Sequence, residues 1–553
     1  MNLYEVAAKT YDNIKDKIGI YEGNKIPLAP ICHDTPSTGD GCIEILLDAD
    51  GNFISAKSLE FESQRIIVPV TESSMGRSSG IAPHPLTDQV KYIFTDNEKA
   101  HSAYISQLDA FAKYTNDISV KAVYLYITKH NVKKDIEVYN FKIKDKTMIT
   151  WCVVENEPVY SNKDTFAAWI DYYTNVVKKD TSNKGTMKLV GNGKLVSANN
   201  ESVYAGRFLK PEEVCSREFE TTQKAERFLK WIIANEGVWA GGTIFICWNP
   251  KNGVATNIDS PFSFMKKTDC ESWESYKHEF KDLIHKVCAD KSALENVVVV
   301  GLDHRTDGRL AVAYCNKFNE SDFYNRISTW DKTCGRPISL SEIIKYAYGD
   351  IITKEKTQEI KVSDGLFLNK MKWLISCRLS GGTIPRDLMQ HLFNNFKRMH
   401  LYKDEGKNKY RTNLIKIATI MANKYYIDNK KGEFDMVNVE EKRMDRSYQF
   451  GRILAIYEEI EKKATKQDNR DTTALKMEEQ YCRKPASTLI KIREHINKAY
   501  IKKLDNRDDF EKMICKIIET IEECGGWEDK PLTESFMVGY AIQRNSFFRN
   551  KKN

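Results

Sequence analysis

No stretch of this 553-residue chain approaches the ~18 consecutive apolar residues that a membrane-spanning helix needs, so no membrane partner is expected. The opening run MNLYEVAAKTYDNIKDK mixes acids with lysines and lacks the apolar core of a secretory leader, which predicts a cytoplasmic protein. Thirteen cysteines are scattered without a single C-x-x-C pair, which suits a reducing compartment and argues against a disulfide framework or a zinc ribbon. The phosphate-cradling G-x-x-x-x-G-K-[ST], the dinucleotide G-x-G-x-x-G after a strand and the metalloprotease H-E-x-x-H are missing too. Gly191-Asn192-Gly193-Lys194 has no Ser or Thr after the lysine and no third glycine, so it reads as a hairpin turn. No cofactor is expected.

What is present is an ordinary globular balance of 41% hydrophobic and 29% charged residues, long enough for two or three domains. The charge is uneven. Of the 84 basic and 77 acidic residues, 38 and 27 lie from Leu366 to Asn553, a net of +11, leaving 46 and 50, a net of −4, for the rest. A basic half points to a polyanion on that half, against the alternative of a lysine-rich solvated surface.

Hydrophobic periodicity predicts an α+β fold: a mixed α/β region with antiparallel hairpins over 1–365, as one or two subdomains, then an α-helical bundle over 366–553. In the first region helices are expected at 3–17, 96–114, 119–128, 164–178, 220–235 and 273–289. Strands are expected at 148–155, 187–190, 195–198 and 243–248. IEILL and NFISA flank Asp48-Ala49-Asp50-Gly51, a hairpin signal because Asp and Gly accept the turn geometry. Residues 296–302 and 309–315 form a second hairpin with a polar tip. After Gly365 the strand signal stops and eight helices follow, at 366–380, 385–400, 410–427, 439–466, 472–483, 485–504, 508–524 and 532–548. Pro385 and Pro485 stand at helix starts, and Gly381-Gly382, Gly432 and Gly525-Gly526 at breaks. The boundary falls near 356–365.

The most informative stretch is RIIVPVTESSMGRSSGIAPHPLTDQVKYIF, Arg65 to Phe94, read as a strand, a loop of small and hydroxyl residues, and an amphipathic helix. Nine of the fifteen residues from Thr71 to Pro85 are Gly, Ser, Thr or Pro. Gly76 and Gly80 permit close backbone approach or positive φ, and Ser78 and Ser79 add donors of either polarity. Arg77 supplies a cationic fork and Lys91 a further charge on the helix, whose first N–H groups would face an anion at the loop. Without more, such a stretch reads more often as a mobile surface loop than as a site.

Two other features carry chemistry. Asp303, His304 and Asp307 share one hairpin tip and could hold a divalent metal for a nuclease, although no second acidic cluster supports them. Arg305 and Arg309 on that tip fit solvent or phosphate contact better. In the basic half, Lys484, Lys491, Lys498 and Lys502 recur at spacings of seven, seven and four and share a helix face. Lys397, Arg398, Lys403, Lys407, Lys409 and Arg411 crowd one helix connection. Either group could line a groove for a single strand. Cys32, His33, Asp34, Asp40 and Cys42 are wrongly spaced for a structural zinc site and read as a loop, and Trp239-Ala240-Gly241-Gly242 as a turn.

PVTESSMGRSSGIAPHPLTDQVKYIF resembles the signature of the large subunit of type I-C CRISPR interference complexes (Cascade). IEILLDADGNFISA, VYAGRF with REFETTQKAERFLKWII, GLDHRTDGRLAVAYCNKFNESDFYNRISTWDKTC and YQFGRILAIYEEIEKKA resemble further segments of that family in the same order. One departure stands out: His84 occupies a position where the family usually has Asn. The resemblance implies a non-catalytic subunit that holds the 5′ end of a guide RNA and reads a short flanking motif (the PAM) on target double-stranded DNA. It implies help in opening the duplex and recruitment of a helicase-nuclease, with backbone, guide-processing and small subunits as partners. It makes the 76–84 loop the expected approach to the motif. It also implies a small-subunit-like C-terminal half, obtainable by internal translation from Met421, Met436 or Met444.

Overall fold

The structure, a computed structural model, describes residues 2–75, 77, 80–178, 187–196, 205–214, 218–240, 242–253, 296–304, 308–335, 338–354, 357–405, 408–466 and 471–549. The fold is α+β, as expected. Two compact units appear, one built from Met1–Ile258 with Leu294–Glu320 and one running from Ser321 onward. The second begins ahead of the 356–365 stretch where the strand signal in the sequence ends.

The first unit holds two four-stranded sheets. Its strands in chain order are β1 (His33–Asp34), β2 (Cys42–Leu47), β3 (Phe53–Leu59), β4 (Val68–Pro69), β5 (Asp88–Gln89), β6 (Met148–Val153), β7 (Val238–Ala240), β8 (Thr243–Trp248), β9 (Asn296–Asp303) and β10 (Ala311–Asn319). One sheet runs β3-β2-β6-β5, with β2 parallel to β6 in the register Cys42↔Met148 and β5 antiparallel to β6 in the register Asp88↔Ile149. The β2–β3 hairpin is the one the Asp-Gly signal marks. Gly51 has φ +77°, and a Cβ there would lie 2.7 Å from the carbonyl oxygen of Ala122, so this turn tolerates no other residue. Helices Glu98–Tyr114, Ile118–Lys129 and Lys163–Tyr172 cover the sheet around buried Trp151 and Trp169.

The other sheet runs β10-β9-β8-β7, antiparallel throughout. Every residue of β8 is buried. Helices Leu3–Asn13 and Phe219–Glu236 supply the apolar stripe that closes this core. The short β1–β4 ladder pairs His33 with Pro69 and brings the chain to the start of the serine-glycine loop.

Several expectations are corrected. The strand expected at Arg65–Val70 is ladder-bonded only at Val68–Pro69, and the helix expected after the loop is a single turn, Val90–Ile93. Its first N–H donates to the carbonyl of Thr147 (2.9 Å), so that group is not available to an anion. Residues 187–190 make an isolated bridge, Val190 to Gly193, and no strand; the partner segment lies partly outside the described residues, as do Gly76, Ser78, Ser79, Arg305 and the helix expected at 273–289. Helix Val132–Glu137 and the hairpin Asp350–Lys354 with Thr357–Lys361 carry no distinct periodic signal and were not expected.

The second unit is helical apart from short hairpins. Its long helices are Glu320–Cys334, Asp364–Ser380, Tyr410–Asp428, Arg446–Thr465, Pro485–Ala499, Arg507–Glu523 and Ser535–Arg549. The helix expected from residue 439 starts at Arg446, where the Asp445 carboxylate accepts from the Tyr448 N–H (3.0 Å) and caps it. Two helices cross on glycines: a Cβ on Gly451 would stand 2.3 Å from the carbonyl oxygen of Phe536, and one on Gly539 only 2.0 Å from that of Tyr448.

This contact reverses an ordinary propensity. In an open helix interior Gly→Ala stabilises by about 1 kcal/mol. Gly539→Ala should instead destabilise by about 1–3 kcal/mol through overpacking, read as a lower melting temperature by circular dichroism. Gly365→Ala, where a Cβ meets nothing, should not lower it.

Candidate nucleic-acid interface

The loop between β4 and β5 is pinned at both ends. At its start the Thr71 N–H donates to Ser74 Oγ (2.9 Å) and the Ser74 N–H to Thr71 Oγ1 (3.1 Å). The hydroxyl of Tyr173 accepts from the Glu72 N–H (3.1 Å). At its end the Leu86 carbonyl accepts from Tyr104 Oη (2.6 Å) and Trp151 Nε1 (3.1 Å), both in the core.

Between these anchors lies Asp88, fully buried, at the β5 edge. Its carboxylate accepts both arms of the Arg77 guanidinium, the His84 N–H (2.7 Å) and the Gln89 N–H (2.6 Å). Arg77 also donates to the Ala82 carbonyl (2.6 Å) and lies 4.3 Å over the Tyr92 ring. Its fork is therefore closed on its own loop. His84 is buried, and its Nδ1 shares a hydrogen bond with Ser74 Oγ (3.0 Å), joining the two ends of the loop. Burial pushes its imidazole down to about 4, with Arg77 adding to the shift and Asp88 opposing it. Gly80 has φ +80° and open space around it, and the neighbouring Ile81 is exposed. Lys91 is exposed, its ammonium 4.6 Å from the Tyr92 ring centre.

Ser74, Arg77 and His84 line a cleft of about 790 Å³. Residues far away in sequence complete it: Arg65 before the loop, Lys188 and Gly191 at the 190–193 turn, Lys230 on helix Phe219–Glu236, and Trp239 on β7. Among the described residues that line the cleft, four are cations and one, Asp34, is an acid. Lys230 forms an ion pair with Asp34. Burial pulls the Lys230 ammonium below its ordinary value, while for Asp34 burial is outweighed by Lys230 and Arg227, which hold the carboxyl low. Arg65 donates to the Thr35 carbonyl (3.3 Å). The remaining positive field suits an anion. Sequence reading missed Arg65, Lys188, Lys230 and Trp239, and took Asp34 for a plain loop residue, since no local pattern links these five segments.

The hairpin tip reads differently. His304 is held by its N–H to the Gly242 carbonyl (2.8 Å) and stands edge-on to Trp239, with Gly193 packed so close that a Cβ there would lie 2.7 Å from the ring. Among the described residues no three His, Cys, Asp or Glu side chains are grouped to hold a metal, and Asp307 lies outside them. Arg309 is exposed beside the backbone bridge to Lys194. In the helical unit, Lys484, Lys491 and Lys498 are all exposed, while Leu489, Ile492 and Ile496 of the same helix are buried. Arg411 is spent on the carbonyls of Met399, His400 and Tyr402 and on Asp471 (2.7 Å). No described helix is long and apolar enough to cross a membrane.

His84 makes stability pH-dependent. Unfolded, its imidazole takes a proton near 6.5; folded, only near 4. Between those values the unfolded chain binds more protons, so stability is lost as pH falls from 6.5 to 4, by about 3 kcal/mol for this group. His84→Asn, which cannot titrate, should flatten the acid limb of the melting temperature against pH. An unchanged limb would show that His84 titrates freely.

No curated protein matches the chain. A family model described as CRISPR-associated protein (Cas_Csd1) matches residues 8–548, which takes in the pinned loop, the cleft and the lysine-bearing helix. The chain belongs to the Cas_Csd1 family of CRISPR-associated proteins.

Proposed function

We propose that the chain is the non-catalytic large subunit of a type I-C Cascade, active in the cytoplasm, with target double-stranded DNA, a guide RNA 5′ end and the backbone, guide-processing and small subunits as partners. In this reading it recognises a PAM, aids strand separation and R-loop formation, and recruits the helicase-nuclease. Base pairing with the guide then reads the rest of the target. The observation that carries the reading is the pinned loop: the stretch that bears the family signature borders a cleft whose described lining holds four cations and one acid.

Asp88 and Arg77 hold the loop's base, and the loop carrying the exposed Gly80 and Ile81 is the part that approaches DNA. Gly80 takes positive φ with room around it, and a residue without a Cβ there suits insertion into a groove. The exposed Lys484, Lys491 and Lys498 would follow the displaced strand by phosphate contact. Met436 and Met444 lie between helices Tyr410–Asp428 and Arg446–Thr465, so a product begun at either would keep the second helix whole, whereas Met421 is inside the first. A metal-dependent nuclease at 303–309 is the weaker reading, given the packing of His304.

The assembled complex tests this. Gly80→Val should abolish discrimination between targets with and without the flanking motif, measured by gel shift, since a β-branched residue resists φ near +80°. Unchanged discrimination would remove the loop from motif reading. Replacing Lys484, Lys491 and Lys498 with Ala should reduce the slope of log affinity against log salt by about 2 for a single strand, at ~0.7 per phosphate contact.

A further inference from the structure

Trp239 is the only tryptophan among the exposed large hydrophobics of the described residues, at 54%. An indole left in water on an edge strand has no role in the core, and here it lines the same cleft as Arg65, Lys188 and Lys230. Its position is set by close packing. A Cβ on Gly237 would lie 2.3 Å from the Ile233 carbonyl oxygen and 2.9 Å from Ile244 Cγ2. β7 therefore leaves the end of helix Phe219–Glu236 with no slack, and Trp239 is held near Lys230 of that helix. Its ring stands perpendicular to that of His304, 6.3 Å between ring centres, and about half of the side chain stays open to solvent.

We propose that the cleft holds one unpaired nucleotide, its base stacked on Trp239 and its phosphate drawn to Arg65 in the cationic lining. The inference rests on the nucleic-acid reading above and adds a ligand class and a residue to it. Aromatic stacking and a cationic track are the two elements that single-strand binding requires, and every base offers a π-face. A cleft of about 790 Å³ is of ligand size, room for a nucleotide and not for a turn of duplex. Arg77 and Lys230 take no part in the charge contact, because Asp88 and Asp34 already hold them. The nucleotide has two possible sources of the same chemistry: the guide RNA end or a DNA strand freed when the duplex opens.

The test uses the full-length chain with labelled single-stranded DNA and RNA of one sequence, neither carrying a flanking motif, by fluorescence anisotropy. Trp239→Ala should weaken binding of at least one of them about tenfold, from a stacking contribution of ~1–3 kcal/mol per base. Trp239→Phe, which keeps a ring, should lose much less, and both variants should keep the wild-type melting temperature. A 2-aminopurine probe should be quenched by the wild type and not by Trp239→Ala. Preference for RNA identifies the guide end, and preference for DNA the opened strand. Wild-type affinity of Trp239→Ala for both probes, or no binding by the wild type, overturns the proposal. The outcomes separate from those of the loop test. Motif reading that survives with no effect of Trp239 removes only this site, whereas Trp239-dependent binding without motif reading leaves a nucleotide site in a chain that reads no motif.

Discussion

A single buried carboxylate organises the candidate interface. Asp88 receives the Arg77 fork, the His84 N–H and the Gln89 N–H, and its own backbone is fixed by the β5–β6 register. A buried charge is tolerable only when its partners are complete, so every one of these groups must be in place together. The result is a loop whose base is held by a closed set of hydrogen bonds, with open space around Gly80 beyond it. That combination suits recognition, because a rigid base keeps the ordering cost of binding small while small residues at the tip allow close approach.

Charge serves two distinct purposes in this protein. Some cations are consumed internally: Arg77 by Asp88, Arg378 by Asp331 (3.0 Å), and Arg411 by carbonyls and Asp471. Others face outward with buried apolar residues on the opposite side of the same helix, as on Pro485–Ala499. A count of Lys and Arg cannot separate the two groups. Only burial and hydrogen bonding show which charges remain for a polyanion.

Local chemistry made much of the fold legible. The Asp-Gly turn specified the β2–β3 hairpin, apolar runs specified β8 and β9, and 3.6-residue periodicity specified the long helices, because each signal acts within a few residues. Where burial on two sides replaces periodicity the signal fails: Arg65–Val70 reads as a strand yet pairs over two residues, and Leu86–Phe94 reads as a helix yet spends its residues on anchoring side chains. His84 shows the same limit. Its sequence position suggests a base-reading donor, but the fold buries it against Ser74.

By itself the sequence determined the fold class, the uneven charge, the family signature and the small-residue loop, all properties of residue type and short spacing. Tertiary structure decided which of those residues meet. Lys188, Lys230 and Trp239 join Ser74, Arg77 and His84 around one cleft only because β1–β4, helix Phe219–Glu236 and β7 pack around the same space. The reason is physical: side-chain periodicity encodes which face of an element is apolar, but the convergence of five distant segments depends on long-range packing, which no local pattern records.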